Sequence, residues 1–94
     1  MYKISSITHK DTGRIREDGR YPNRIGCIFN FYLPLKIGSC ALLEYIKDNQ
    51  GNDKSGILRT SIVEKIFEDE KEIVFSTTNS TYTIEKIKDT FSIF

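Results

Sequence analysis

The chain is short of the residues that build helices and metal sites: its 94 residues include one alanine, one methionine, one histidine, two cysteines and no tryptophan. Each shortage closes off a class of explanation. With His9 alone, no site built on a histidine pair can form. Cys27 and Cys40 stand apart rather than in a Cys-x-x-Cys pair, and with His9 they fall short of the roughly four ligands of a closed zinc site. No apolar run approaches the roughly 20 residues that span a bilayer as a helix. Met1-Tyr2-Lys3-Ile4 is followed by Ser5-Ser6-Ile7-Thr8 and then by charge, which lacks the apolar stretch of a signal peptide. A cytoplasmic protein with free thiols and no membrane contact is the expectation. The Asn79-Ser80-Thr81 glycosylation sequon then has no meaning.

What the chain has instead is β-formers: fourteen Ile, eight Thr, six Phe and five Tyr. Such side chains lose rotamer freedom in a helix and pack well on a pleated surface. AT-rich coding also inflates Ile, so alternation along the chain has to carry the assignment. Hydrophobic residues at 38% supply a core, and 94 residues fit one domain, 1–94.

Lys3 to Thr8, anchored by Ile4 and Ile7, reads as a first strand. Turn signals follow at Asp11-Thr12-Gly13 and Glu17-Asp18-Gly19, with Arg14 to Glu17 between them as a short strand or arm. Tyr21-Pro22-Asn23 ends this Arg-rich loop region, residues 10–24, because proline fixes φ and restrains its predecessor. From Ile25 to Leu33, Ile25, Cys27, Phe29 and Phe31 alternate against Ile28 and Tyr32, as in a strand buried on both faces or bent by a bulge near Gly26. Ser39 to Asp48 puts Ala41, Leu43 and Tyr45 on one face of a strand. A helix through Ala41, Leu42, Tyr45 and Ile46 is the rival, and the flanking Gly38 and Asn49-Gln50-Gly51 favour the strand. Asn49 to Gly56 is a polar hairpin loop. Ile57 to Thr60 starts another strand, while Ser61 to Phe67 fits a bulged strand or a short helix. Glu68-Asp69-Glu70-Lys71 is a charged turn. Glu72 to Thr77 and Thr81 to Ile84 form a hairpin about Thr78-Asn79-Ser80. Beyond Ile84 the spacing of Ile87 and Phe91 allows strand or helix, and residues 88–94 form an apolar tail. The expected fold is mainly all-β: a small five- or six-stranded antiparallel barrel or curved sheet, SH3-like or OB-like in size, with room for one short helix. That likeness is architectural and carries no function.

Chemistry is scarce, and a non-enzyme without a cofactor is expected. His9, beside Lys10 and Asp11, reads as a surface histidine. Cys27 and Cys40 lie in apolar contexts with no base to form a thiolate, so both read as core thiols. Glu68, Asp69, Glu70 and Glu72 sit with Lys65 and Lys71 on a solvated turn. Asn49, Asn52 and Asp53 lack the spaced acidic ladder of a calcium loop. Thr60 and Ser61 read as hydroxyls bonded to backbone.

Charge is unevenly spread. Residues 1–24 hold Lys3, Lys10, Arg14, Arg16, Arg20 and Arg24 against Asp11, Glu17 and Asp18, a net +3, whereas the whole chain is +1. That total is far from the basic balance of a dedicated nucleic-acid protein. Two places can carry a function. Arg14, Arg16, Arg20 and Arg24, with Tyr21 among them, can clamp phosphates or carboxylates and stack a base. Phe91, Ile93 and Phe94 can form an interface. The expectation is an interaction module that binds a protein partner or self-associates as a homo-oligomer. Single-stranded nucleic-acid binding through Arg14–Arg24 is the alternative. The alternative requires the four arginines to share a face beside Tyr21 or Tyr32, and pairing with Glu17 or Asp18 counts against it.

Overall fold

The strands form where apolar and polar residues alternate. In the computed structural model, which describes residues 1–87, the elements are β1 (Tyr2–His9), α1 (Tyr21–Arg24), β2 (Ile28–Phe31), β3 (Cys40–Lys47), β4 (Ile57–Glu68), β5 (Glu72–Thr77) and β6 (Ser80–Lys86). Each strand pairs antiparallel with the next, and β6 returns to β1, closing a six-stranded barrel. The order is an up-and-down meander, without the crossover of a Greek-key barrel. Closure pairs the sheet edges that would otherwise template aggregation. Among the described residues no helix is long and apolar enough to cross a membrane.

The inward side chains fill the barrel. Ile4, Ile7, Phe29, Leu43, Val63, Phe75 and Ile84 are fully buried. Phe75 and Tyr82 stack with centroids 4.9 Å apart, and Phe29 meets Phe31 edge-on at 5.2 Å. Burial pushes the Tyr82 phenol up to about 12. Ala41 and Leu43 point inward with Tyr45 half-buried, so residues 39–48 take the strand reading.

Bulges explain the ambiguous stretches. A register shift between Ile4 and Ser6 lets both Ile4 and Ile7 face inward. Shifts between Cys40 and Leu42 on β3, and between Val63 and Lys65 on β4, break the period of two. The apolar residues of 61–67 therefore fall at helix-like spacing although the segment is continuous strand. Thr60, which is buried, closes the hydrogen bonding beside a bulge: its Oγ1 accepts the Ala41 N–H at 3.0 Å and donates to the Ser61 carbonyl at 2.8 Å.

The short helix falls elsewhere than at the named candidates. Residues 39–48 and 61–67 are strand, and the chain stays strand through Lys86. The helical turn is Tyr21–Arg24, where Pro22 had suggested only a break. In a first turn the missing proline N–H has no helical partner to lose. The Arg14–Glu17 arm makes one bridge, Ile15 to Thr8, and the Arg16 N–H donates to the Ile7 carbonyl at 2.9 Å. It thereby covers β1 beyond the point where the short β2 stops. Residues 88–94, including Phe91, Ile93 and Phe94, lie outside the described residues.

Gly26 locks α1 to the β3–β4 hairpin. Its φ is +93°, and a Cβ there would come within 3.2 Å of the Asn49 Cβ. Its N–H donates to the Ile4 carbonyl at 2.7 Å. Only glycine meets both the left-handed backbone and the close approach.

Candidate functional site

The arginine run does not share one face. Arg16 is largely covered at the surface, with only 13% of its side chain exposed. Its Nε and Nη2 donate to the two carboxylate oxygens of Asp18 at 3.1 and 2.6 Å, and its Nη1 donates to the Ser80 Oγ at 2.8 Å. The hydrogen bonds from Arg16 hold the Asp18 carboxyl down at about 2. His9 approaches the same carboxylate, with Nε2 3.8 Å from Oδ1. The carboxylate beside His9 is thus Asp18, not the adjacent Asp11. An open cleft of about 550 Å³ lies over this cluster, lined by His9, Lys10, Asp11, Arg16, Tyr21, Thr78 and Asn79. Its arginine is already satisfied and its charges are mixed. Arg16 is therefore a structural residue, and the pairing with Asp18 removes it from the candidate contacts.

Tyr21 lies between the two halves of the run. The Arg16 guanidinium carbon is 4.0 Å from its ring centroid and that of Arg24 is 4.9 Å. Both cations are thereby oriented on a partly buried ring. Arg14 stays apart: its side chain is exposed and lines neither cleft. Tyr32 is exposed on the outside of the barrel, away from both clefts.

Arg20 and Arg24, four residues apart about α1, line a second, smaller cleft of about 260 Å³ with Asn23, Tyr45, Lys54, Ile57 and Leu58. Three cations and no carboxylate line it. Lys54 comes from the hairpin loop, its ammonium 4.7 Å from the Tyr45 ring centroid. The sequence reading missed Lys54 because only the return of residues 48–54 onto β3 places it there. That return is fixed by the Lys54 N–H donating to the Ile46 carbonyl at 3.0 Å and by the Lys47–Asp53 bridge.

The outer surface of the barrel is as uneven as the arginine run. Outward positions of β5, β6 and β1 are Glu72, Val74, Ser76, Thr81, Thr83, Glu85, Lys3 and Thr8, of which only Val74 is apolar. Outward positions of β2, β3 and the first half of β4 are different in kind. Ile28, Cys40, Leu42, Ile46, Ile57 and Ile62 line them, with Asn30, Glu44 and Arg59 interspersed. Tyr32 follows at the end of β2. Tyr32, Ile57 and Ile62 are 55%, 48% and 44% exposed. Register sets these apolar and polar side chains next to one another: Asn30 pairs Glu44, Glu44 pairs Ile57, Leu42 pairs Arg59 and Cys40 pairs Ile62.

The cysteines part company. Cys27 is buried, its Sγ donating to the Asn23 carbonyl at 3.2 Å, and burial pushes its thiol up. Cys40 is half-buried and faces outward beside Arg59 rather than into the core. The expectation of two core thiols holds for Cys27 only, because alternation in β3 gives the interior to Ala41 and Leu43. Among the described residues no three His, Cys, Asp or Glu side chains group as metal ligands. Comparison with family models, with curated proteins and with solved structures finds no match in any of the three.

Proposed function

We propose that the protein is a non-catalytic interaction module that self-associates through the outer face of β2, β3 and β4, with a second copy of the same chain as its partner. The observation that carries this reading is the asymmetry of the barrel exterior. An exterior rich in apolar side chains marks an interaction surface more often than a polar one does, and the outward positions of β5, β6 and β1 offer only Val74, paired with the exposed Phe67 of β4.

The charges on the face favour a second copy. Glu44 and Arg59 are near neighbours within it, and among the described residues neither has an ion-pair partner. A two-fold axis standing between them sets Glu44 of one copy over Arg59 of the other, twice, with Leu42 and Ile62 packed around the pairs. Such self-complementarity is what an isologous dimer requires. The expected resemblance to SH3-like barrels in size adds nothing to this, since small barrels host unrelated functions. The unpaired thiols support a reducing, cytoplasmic setting.

Sedimentation equilibrium over a concentration series tests the proposal. The wild-type chain is expected to dimerise, and Ile62→Asp to shift it to monomer. Glu44→Arg and Arg59→Glu are each expected to weaken the dimer about tenfold. The double exchange restores it, because the pairs re-form with reversed sign. A wild-type chain that stays monomeric at near-millimolar concentration overturns the reading.

A further inference from the structure

The geometry points to a phosphate-binding site in the cleft between α1 and the β3–β4 hairpin, held by Arg20, Arg24 and Lys54. This site adjoins the proposed dimer face at Ile57, the register partner of Glu44, and shares no other residue with it.

Three observations carry the assignment. The first is that none of the three cations has a carboxylate partner, although Arg24 also reaches the Tyr82 hydroxyl. Among the described residues, Arg16 pairs with Asp18, Lys10 with Glu64, Lys47 with Asp53 and Lys86 with Glu68, while Arg20, Arg24 and Lys54 make no ion pair. Asp48, whose field reaches Lys54, does not line the cleft, and its Oδ1 is taken by the N–H groups of Gln50 and Asn52 at 2.8 and 2.9 Å. Like charges gathered without a counter-charge repel one another, and a bound anion removes that repulsion.

The second is that the cleft is built in advance. Gly26 brings α1 against Asn49, and the Cys27 Sγ ties down the Asn23 carbonyl. The Tyr45 N–H donates to the Gly56 carbonyl at 2.9 Å, fixing the opposite wall. Tyr21 orients the Arg24 guanidinium and Tyr45 the Lys54 ammonium. Donors held before the ligand arrives lose less freedom on binding it.

The third is chemical fit. Two guanidinium forks and an ammonium supply many donors around one concave space. This suits a phosphate, with its several acceptor oxygens and charge of up to about −2, better than a single carboxylate of charge −1. A volume of about 260 Å³ has room for a phosphate with the sugar attached. The phosphate has two possible sources, a small phosphorylated molecule or the backbone of a single-stranded nucleic acid.

Amide chemical-shift titration of the full chain separates these sources, with pyrophosphate in one arm and a ten-residue oligothymidylate in another. Both arms are run at low salt, with polyglutamate as the comparison anion. Shifts are expected at Arg20, Asn23, Arg24 and Lys54 in at least one phosphate arm. Affinity should fall about tenfold or more in Arg20→Ala/Arg24→Ala and in Lys54→Ala, and stay unchanged in Arg14→Ala. If pyrophosphate binds as well as the oligomer, the source is a small phosphorylated ligand. If the oligomer binds at least tenfold tighter, the source is nucleic acid. Its affinity should then fall with salt on a log–log slope of about −2, from about −0.7 for each of three contacts. The assignment is overturned by absence of shifts at the cleft in both phosphate arms, by binding that survives the Arg20/Arg24 double substitution, or by polyglutamate binding as tightly as the phosphates. Ile62→Asp leaves the cleft intact, so a failed dimer and a failed phosphate site are read independently.

Discussion

Arg16 grips Asp18 with two N–H donors, one on each carboxylate oxygen, while a third donor reaches Ser80 on the far strand of the barrel seam. The arm between β1 and α1 is thereby fastened to β6. Arg16→Ala is expected to destabilise the fold by about 1–2 kcal/mol, through lost packing and a lost bond at buried Ser80. Arg14→Ala, at an exposed side chain, should stay within about 0.5 kcal/mol. Urea unfolding of the two variants makes the comparison.

The same pair sets an acid response. The Asp18 carboxyl is held at about 2 when folded, below the unfolded value of about 3.9. Between those values the unfolded chain binds the proton and the folded chain does not. The contribution of Asp18 is therefore fully present above pH 4–5 and is lost as pH falls toward about 2. Asp18→Asn should flatten the acid limb of a stability-against-pH curve while leaving its neutral shape unchanged. Direct proton NMR titration of the carboxyl gives the second check.

Gly26 combines a positive φ with a neighbour 3.2 Å from any added Cβ. Gly26→Ala is expected to cost about 1–3 kcal/mol and to move amide shifts on both walls of the cationic cleft. Gly51→Ala, also at positive φ but with open space around it, should be destabilising without disturbing the cleft. Thermal melts paired with amide spectra distinguish backbone strain from displacement of α1.

Thr60 takes both hydrogen bonds of its buried hydroxyl from the chain beside a bulge. Thr60→Val keeps the shape and leaves the Ala41 N–H without an acceptor, at an expected cost of about 1–3 kcal/mol. Thr83→Val, on the outward side of β6, should change stability by no more than about 0.5 kcal/mol. Differential scanning calorimetry of the pair tests whether the hydroxyl or the β-branch matters.

The parts of this fold that were legible in the sequence are those where local alternation survives. Ala41, Leu43 and Tyr45 mark the inner face of β3 directly, and the Thr77–Ser80 turn is read from its own residues, since the Thr77 Oγ1 accepts the Ser80 N–H at 3.1 Å. Legibility fails where a bulge shifts the period, as in residues 61–67, and where Pro22 begins a helical turn instead of ending an element. The candidate site was half legible. Arg20 and Arg24 announce themselves by type and spacing. Asp18's claim on Arg16, and the arrival of Lys54 opposite α1, depend on contacts between distant segments that no local pattern encodes. The apolar exterior was hidden for a different reason. Sequence alone does not say which way Ile57 and Ile62 point; the register of β4 does.

The closure of the barrel also bears on how the chain folds. β1 shares only the pairs Tyr2–Phe29 and Lys3–Ile28 with β2, but runs alongside β6 from Tyr2–Lys86 to His9–Ser80. The first described strand thus depends on the last described one for most of its pairing, as in the Ile4–Ile84 pair. Closure is a step of long sequence separation, slow for the size of the domain, and until it occurs β1 is without its main partner.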